Sequence, residues 1–291
     1  MSFFGEEHVR RIERAERGLI ADSTRAVART GMEGFVLAIA GGVAAFSGAD
    51  SPLTKVAGLG FGGLPPDDEL ARVETEFHAR GAAVQVELAS LAEAGIAERL
   101  SARGYALVGF EYVLARALDP RELWPDRTDV TVELDTDPTL DEWLDVVVTA
   151  FSMLDGQGVV AHESFPRASL ERVVRAMSGS RGMAHYLARR GGVPAGGASL
   201  RVSTDEHVAQ LCGAGTLPAH RRRGVQAALL ERRLADAARA GCELAVVTTA
   251  PGSKSQENAQ LLGFELAYMR AILRLAPPEA GEGAEPRPVR A

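Results

Sequence analysis

The chain has 291 residues, 46% of them hydrophobic, with 32 basic and 39 acidic side chains and a net charge of −7. That supplies core for one large domain or two small ones, and the acidic balance argues against a general nucleic-acid binder. No run reaches the roughly 18 apolar residues that span a membrane, and two lone cysteines, Cys212 and Cys242, fit small core residues of a reduced, cytoplasmic protein better than a disulfide framework.

The chain opens on "MSFFGEEHVRRIERAERG", charged and helical in pattern and without the apolar core of a signal peptide. Next, "GLGFGGLPPDDELARVETEFHARG" reads as Gly-x-Gly, Leu-Pro and an amphipathic helix ending in glycine. Its first turn carries Asp67, Asp68 and Glu69, acids that suit the positive end of a helix dipole. "AAVQVEL" (82–88) is a short apolar strand, and "SARGYALVGFEYVLAR" (101–116) passes through Gly104-Tyr105 into another. "DPRELWPDRTD", with two prolines and several charges, reads as a linker.

The same order then recurs. "GAGTLPAHRRRGVQAALLERRLADAARAG" again holds Gly-x-Gly, Leu-Pro and a helix ending in glycine; "ELAVVTT" (243–249) is the apolar strand. "QLLGFELAYMRAILRL" (260–275) closes the unit: placing Gly104-Tyr105 on Gly263-Phe264 brings Leu107 onto Leu266 and Leu114 onto Leu273. The expectation is an α/β protein of two copies of one unit, 1–118 and 128–276, joined by 119–127 and followed by a disordered Pro/Gly/Glu-rich tail, 277–291.

The copies differ at one place. From Pro218 to Gly241 is 23 residues, from Pro65 to Gly81 is 16, and the extra length falls where the second copy has its arginine-glycine loop. A helix N-terminus presents unpaired amides and about half a positive charge, so it receives anions, and a glycine there allows close approach. Arg221, Arg222 and Arg223 are unfavourable for the helix dipole unless an anion lies between them. The periodicity puts Ala227, Leu230, Leu234, Ala237 and Ala238 on the buried face, with Arg222–Ala227 wrapping the first turn and Gly241 stopping the helix. The alternative is a solvated arginine patch. Neither a Gly-Lys-Ser/Thr triphosphate loop nor a Gly-x-Gly-x-x-Gly dinucleotide turn is present.

"LPAHRRRGVQAALL" resembles motif A of the GCN5-related N-acetyltransferases (GNATs), with Arg221 at the first motif position, Gly224 at the central glycine and Gln226 where glycine or alanine is usual. "SQENAQLLGFELAYMRAIL" is similar to the family's C-terminal region. The likeness is to a tandem GNAT with a degenerate N-terminal copy. It implies an α/β (α+β) sheet with flanking helices, two such domains in tandem, and acetyl-CoA as co-substrate in a gap between the strand ending near Thr216 and the strand at Leu244–Thr248. The pyrophosphate is then expected on Arg221, Arg222, Arg223, Gly224, Val225, Gln226 and Ala227, the pantetheine along Ala214, Gly215 and Thr216, with Ser255 and Asn258 as further cofactor contacts.

The family's thiolate-protonating tyrosine falls four residues before Gly263, at Ala259. Ser255, a water or Tyr268 is left to assist, with core packing as the alternative for Tyr268. Candidates for the base are His162, Glu163, Glu206 and His207, each with the solvated loop residue as its strong alternative. Phe151 and Phe165 are candidate walls for the amine acceptor, and "DGQG" a candidate lid. Ser253, Ser255 and Asn258 are equally readable as helix caps. No histidine spacing suggests a metal. The acceptor is expected to be a small-molecule or peptide amine, neither nucleic acid nor membrane; its identity, the acyl length and assembly as a homodimer stay open. The competing reading is a non-catalytic acyl-CoA-binding or scaffolding module.

Overall fold

The computed structural model describes residues 4–122, 124, 127–137, 140–153 and 166–278. The first half runs α1 (Glu6–Arg29), β1 (Phe35–Ile39), β2 (Gly42–Phe46), β3 (Lys55–Ala57), α2 (Asp67–His78), β4 (Val84–Ala89), α3 (Ile96–Ala102) and β5 (Ala106–Ala117). The second runs β6 (Val130–Leu134), α4 (Asp141–Ser152), α5 (Arg167–Ser178), β7 (Met183–Arg190), β8 (Val193–Ser203), β9 (Val208–Thr216), α6 (Val225–Arg239), β10 (Leu244–Thr249), α7 (Lys254–Leu261) and β11 (Glu265–Leu275). Three strands, a helix, a strand, a helix and a final strand recur in that order in both halves.

All eleven strands join one sheet in the order β1-β2-β3-β4-β11-β5-β10-β9-β8-β7-β6. The final strands are exchanged: β5 of the first half lies against β10 of the second, and β11 of the second against β4 of the first. Between themselves β5 and β11 pair antiparallel, with Leu114 opposite Leu266 and Leu107 opposite Leu273. These are the leucines the repeat makes equivalent, so the pairing is what a local two-fold axis between the copies produces. Gly104 and Gly263, in the turns that lead into the two strands, both have positive φ, 92° and 81°, a conformation glycine adopts without strain.

Helix α1 buries Val9, Ile12, Ala15, Leu19, Ile20 and Val27, a helical stripe, and places Glu6 and Glu7 at its N-terminal dipole. It covers one face of the sheet, packing with Val208, Leu244 and Val246. Helix α6 covers the other, with Ala209, Leu211 and Ala245, as strand alternation requires. Its buried face is wider than the periodicity indicated: Val225, Ala228 and Leu229 are buried with Leu230, Leu234 and Ala237, while Ala227 and Ala238 are half-buried. Glu231 and Arg233 are buried too, because each is hydrogen-bonded.

Where the halves meet, charged side chains are buried together. Arg270 donates from Nε to Glu13 Oε1 at 2.8 Å, and its Nη1 lies 3.8 Å from carboxylate oxygens of Glu87 and Glu111. Lys55 pairs with Glu87, and Tyr268 donates its hydroxyl to Glu13. Burial, reinforced by Glu87, pushes the Glu111 carboxyl up to about 8 against the pull of Lys55 and Arg270.

Candidate active site

Strands β9 and β10 are parallel neighbours for three residue pairs only, Leu244–Val208, Ala245–Ala209 and Val246–Gln210. Beyond these β9 continues to Thr216 and β10 to Thr249 without pairing to each other, so the sheet splays. A bulge opens β9 at the same point: its register with β8 shifts between Cys212 and Gly215, and Gly213 has φ +56°. The gap encloses about 450 Å³, lined by Leu211–Ala214 and Val246–Ala250, and it reaches both faces: Gln226, Leu230 and Arg233 of α6 on one side, Glu16 and Leu19 of α1 on the other. Phe151, Ser253, Ser255 and Ala259 complete its named wall.

Arg233, 1% exposed, fixes the bulge by donating to the carbonyls of Leu229, Ser199 and Cys212. Desolvation pulls its guanidinium down to about 10, which still leaves it charged at neutral pH. Burial pushes the Cys212 thiol up to about 11, so it is a thiol and not a thiolate nucleophile. Thr249 Oγ1, in the gap wall, and Thr216 Oγ1 are buried without a hydrogen-bond partner. Gly215 has a packing reason for being glycine: a Cβ there would lie 2.5 Å from the Cβ of Ala150 on α4.

At the mouth of the gap Pro218–His220 form one 3-10 turn, Arg222 and Gly224 both take positive φ (59° and 78°), and α6 starts at Val225. The helix therefore begins three residues later than Arg222. Its first main-chain bond runs from the Ala228 amide to Gly224, no side chain caps it, and its first turn holds no acid. The amides of Val225, Gln226 and Ala227 precede the helical ladder. Arg222 and Arg223 are exposed, whereas Arg221 is tied down, donating to the carbonyls of Thr216 and Met153. Arg127, assigned by sequence to the linker, joins this loop: its Nη1 lies 3.1 Å from where a Gly224 Cβ would stand, and it is held bidentate by Glu231.

The other sequence candidates fall as follows. Ala214, Gln226, Ser255 and Phe151 line the gap; Gly215, Thr216 and Asn258 are not among its lining residues. Ser253, not Ser255, caps α7, accepting from the Gln256 amide. Ala259, at the position expected of the family tyrosine, is buried in the gap wall. Tyr268 is 4% exposed and bonded to Glu13, on the α1 side and outside the lining. Glu206 is occupied by Arg14, and His207 sits in the turn before β9 with positive φ. His162, Glu163, Phe165 and the "DGQG" segment lie outside the described residues. Glu16, Leu19, Gln210, Thr249 and Arg233 also line the gap, and no sequence motif marks them. Among the described residues no group of three or more His, Cys, Asp and Glu could hold a metal ion, and no helix is long and apolar enough to cross a membrane.

The equivalent place in the first half is closed. Beyond the β3–β4 pairs, the Glu93 amide donates to the Gly60 carbonyl at 3.0 Å, and the Gly60 and Gly62 amides donate back to Ala40. A Cβ at Gly60 would lie 2.4 Å from Ile96 Cδ1, so chain fills the space. Asp67, Asp68 and Glu69 occupy the first turn of α2.

The site is thus a mixed sheet splayed between two parallel strands, with an uncapped helix start facing the gap. Residues 149–264 match the family model described as "Acetyltransferase (GNAT) family". Its fold is similar to a GCN5-related N-acetyltransferase from Kribbella flavida (TM-score 0.60, 19% identity, 90% of this chain and 96% of that one). It is also similar to a tandem GNAT protein from the clavulanic acid biosynthesis pathway (0.55, 15%, 72% and 69%) and to a GCN5-related N-acetyltransferase from Sphaerobacter thermophilus (0.53, 16%, 71% and 65%). Comparison with curated protein sequences gives no match. The fold is thus two GNAT-like units in tandem sharing one sheet.

Proposed function

We propose that the chain is an N-acetyltransferase that moves an acetyl group from acetyl-CoA directly to an amine, with one site, in the second half. The observation that carries this is the splayed β9–β10 gap ending at the uncapped amides of Val225, Gln226 and Ala227, with Arg127, Arg222 and Arg223 around them. Those amides and cations suit a diphosphate. The unpartnered Thr249 Oγ1 and the free edges of β9 at Ala214 and of β10 offer hydrogen bonds to an extended amide-bearing chain. Acetyl-CoA supplies the activated acyl group; the protein holds it, orients it and excludes water.

Among the described residues no tyrosine lines the gap. Ala259 cannot donate a proton and Tyr268 is engaged by Glu13, so the departing sulfur takes its proton from water or from the neighbouring Ser255 hydroxyl. Incubation with acetyl-labelled acetyl-CoA and a panel of amines tests the function. Label should pass to at least one amine with release of one thiol per acetyl; binding of acetyl-CoA with no transfer to any amine would favour an acyl-CoA-binding module instead.

A further inference from the structure

Helix α1 belongs to the half whose own gap is closed, yet it reaches the open gap of the other half. Glu16 is the one acid, and Arg233 the one base, among the named lining residues. Arg233 is spent on three backbone carbonyls. Glu16 is held by a neutral group: Gln210 Nε2 donates to Glu16 Oε2 at 2.9 Å. Gln210 is itself oriented by Arg201, whose Nη1 donates to Gln210 Oε1 at 2.9 Å and to the Ala15 carbonyl at 3.1 Å, and whose Nη2 donates to Asp22 at 3.0 Å.

The helix is shaped for this relay. Gly18 sits inside α1, where glycine costs about 1 kcal/mol relative to alanine. A Cβ at that position would come within 3.1 Å of Arg201 Nη2. Among the described residues no hydrogen bond reaches Glu16 Oε1 and no ion pair neutralises the carboxylate. An oriented carboxylate with one oxygen free, beside Leu19 and Phe151, suits a single ammonium group on an apolar stem. A polyamine or aminoglycoside carries several cations, whereas Glu16 is the one acid among the described lining residues.

We propose that Glu16, supplied by the first half, is the proton acceptor of the second half's transfer site, and that the acceptor is a primary monoamine on an apolar stem. This rests on the acetyl-transfer reading above. The ammonium gives one proton to the Glu16 carboxylate. The freed nitrogen forms the C–N bond to the acyl carbon as the C–S bond breaks. The nitrogen's second proton leaves through solvent, and the sulfur takes one up as thiol. Glu16 returns its proton to solvent, so one proton is released per turnover.

Burial raises the Glu16 carboxyl above the ordinary carboxylate range; Glu87 of β4 and Glu13 of α1 add to this, while Arg270 of β11 and Lys55 of β3 oppose it. Glu111, Tyr268 and Cys212 also feel its charge. A base works when deprotonated, so kcat/KM should fall as pH drops through this raised value.

The test uses the full chain, acetyl-CoA and phenethylamine. Glu16→Gln keeps the size and the Gln210 contact, and its thermal unfolding checks that it folds. It should lose roughly 100-fold in kcat and the acid limb attributable to Glu16, with the dissociation constant for acetyl-CoA unchanged. Without chemistry, phenethylammonium should bind the CoA-loaded variant on the order of tenfold more weakly than wild type, while phenethyl alcohol binds both alike. Glu16→Asp should keep the acid limb at an intermediate rate. Wild-type turnover, pH profile or amine affinity in Glu16→Gln, or no acetylation of phenethylamine by wild type that binds acetyl-CoA, would overturn the proposal. Failure of wild type to bind acetyl-CoA at all would instead remove the acetyl-transfer reading beneath it.

Discussion

Replacing Arg270 with alanine should destabilise the protein by about 3–5 kcal/mol, the cost of breaking a buried ion pair from one side. Arg270 is 1% exposed, and its guanidinium faces Glu13, Glu87 and Glu111. Alanine leaves those carboxylates in low dielectric with Lys55 as their remaining close cation. In a domain of this size the loss is about 10 °C in Tm. Its pH dependence has a definite sign. Arg270 holds down the Glu111 carboxyl that burial raises, so without it this group titrates higher still in the folded state, and the folded variant binds more protons and loses stability as pH rises. The deficit relative to wild type should shrink toward pH 5. Thermal unfolding from pH 5 to 8 checks this; a variant within 1 kcal/mol of wild type throughout would mean that the halves are not held by this network. Because α1, β3, β4, β5 and β11 all contribute to it, the variant should also separate the two halves' unfolding transitions.

Gly224→Val should weaken acetyl-CoA binding by about 2 kcal/mol, roughly 30-fold, equivalent to losing one or two charge-assisted hydrogen bonds. Two causes act together. Gly224 has φ +78°, which a β-branched residue resists. Its Cβ would press on Arg127, which Glu231 holds in place. Relaxing either one rotates the first amides of α6 away from the mouth of the gap. Isothermal titration reads the change, and an unaltered dissociation constant would remove this loop from the binding site.

The repeat was legible because it is carried by local signals: glycines ending α3 and α7 at Gly104 and Gly263, Leu-Pro before each central helix, and acids or arginines at the two helix starts. The exchange of β5 and β11 was not, since strand order depends on contacts between residues far apart in the chain, such as Ala117 with Leu244 and Leu107 with Leu273. The loop before α6 stood out in the sequence because a cationic helix start violates a dipole preference. Arg127 was not, because its part in the loop comes from Glu231, far along the chain. Glu16 was hidden for a different reason. On α1 it looks like one more charge in "RIERAERG", and only the folding of α1 across β9 brings it to the gap. Counting placed Ala259 at the position expected of a tyrosine, but no count could place Tyr268 against Glu13.

Calorimetric titration of acetyl-CoA into the wild-type chain is the most direct measurement. The closed first-half gap and the open β9–β10 gap predict one site per chain, lost or weakened by Gly224→Val and retained in Glu16→Gln. Two equivalent sites, or no binding, would contradict the assignment of a single acetyl-CoA site to the second half.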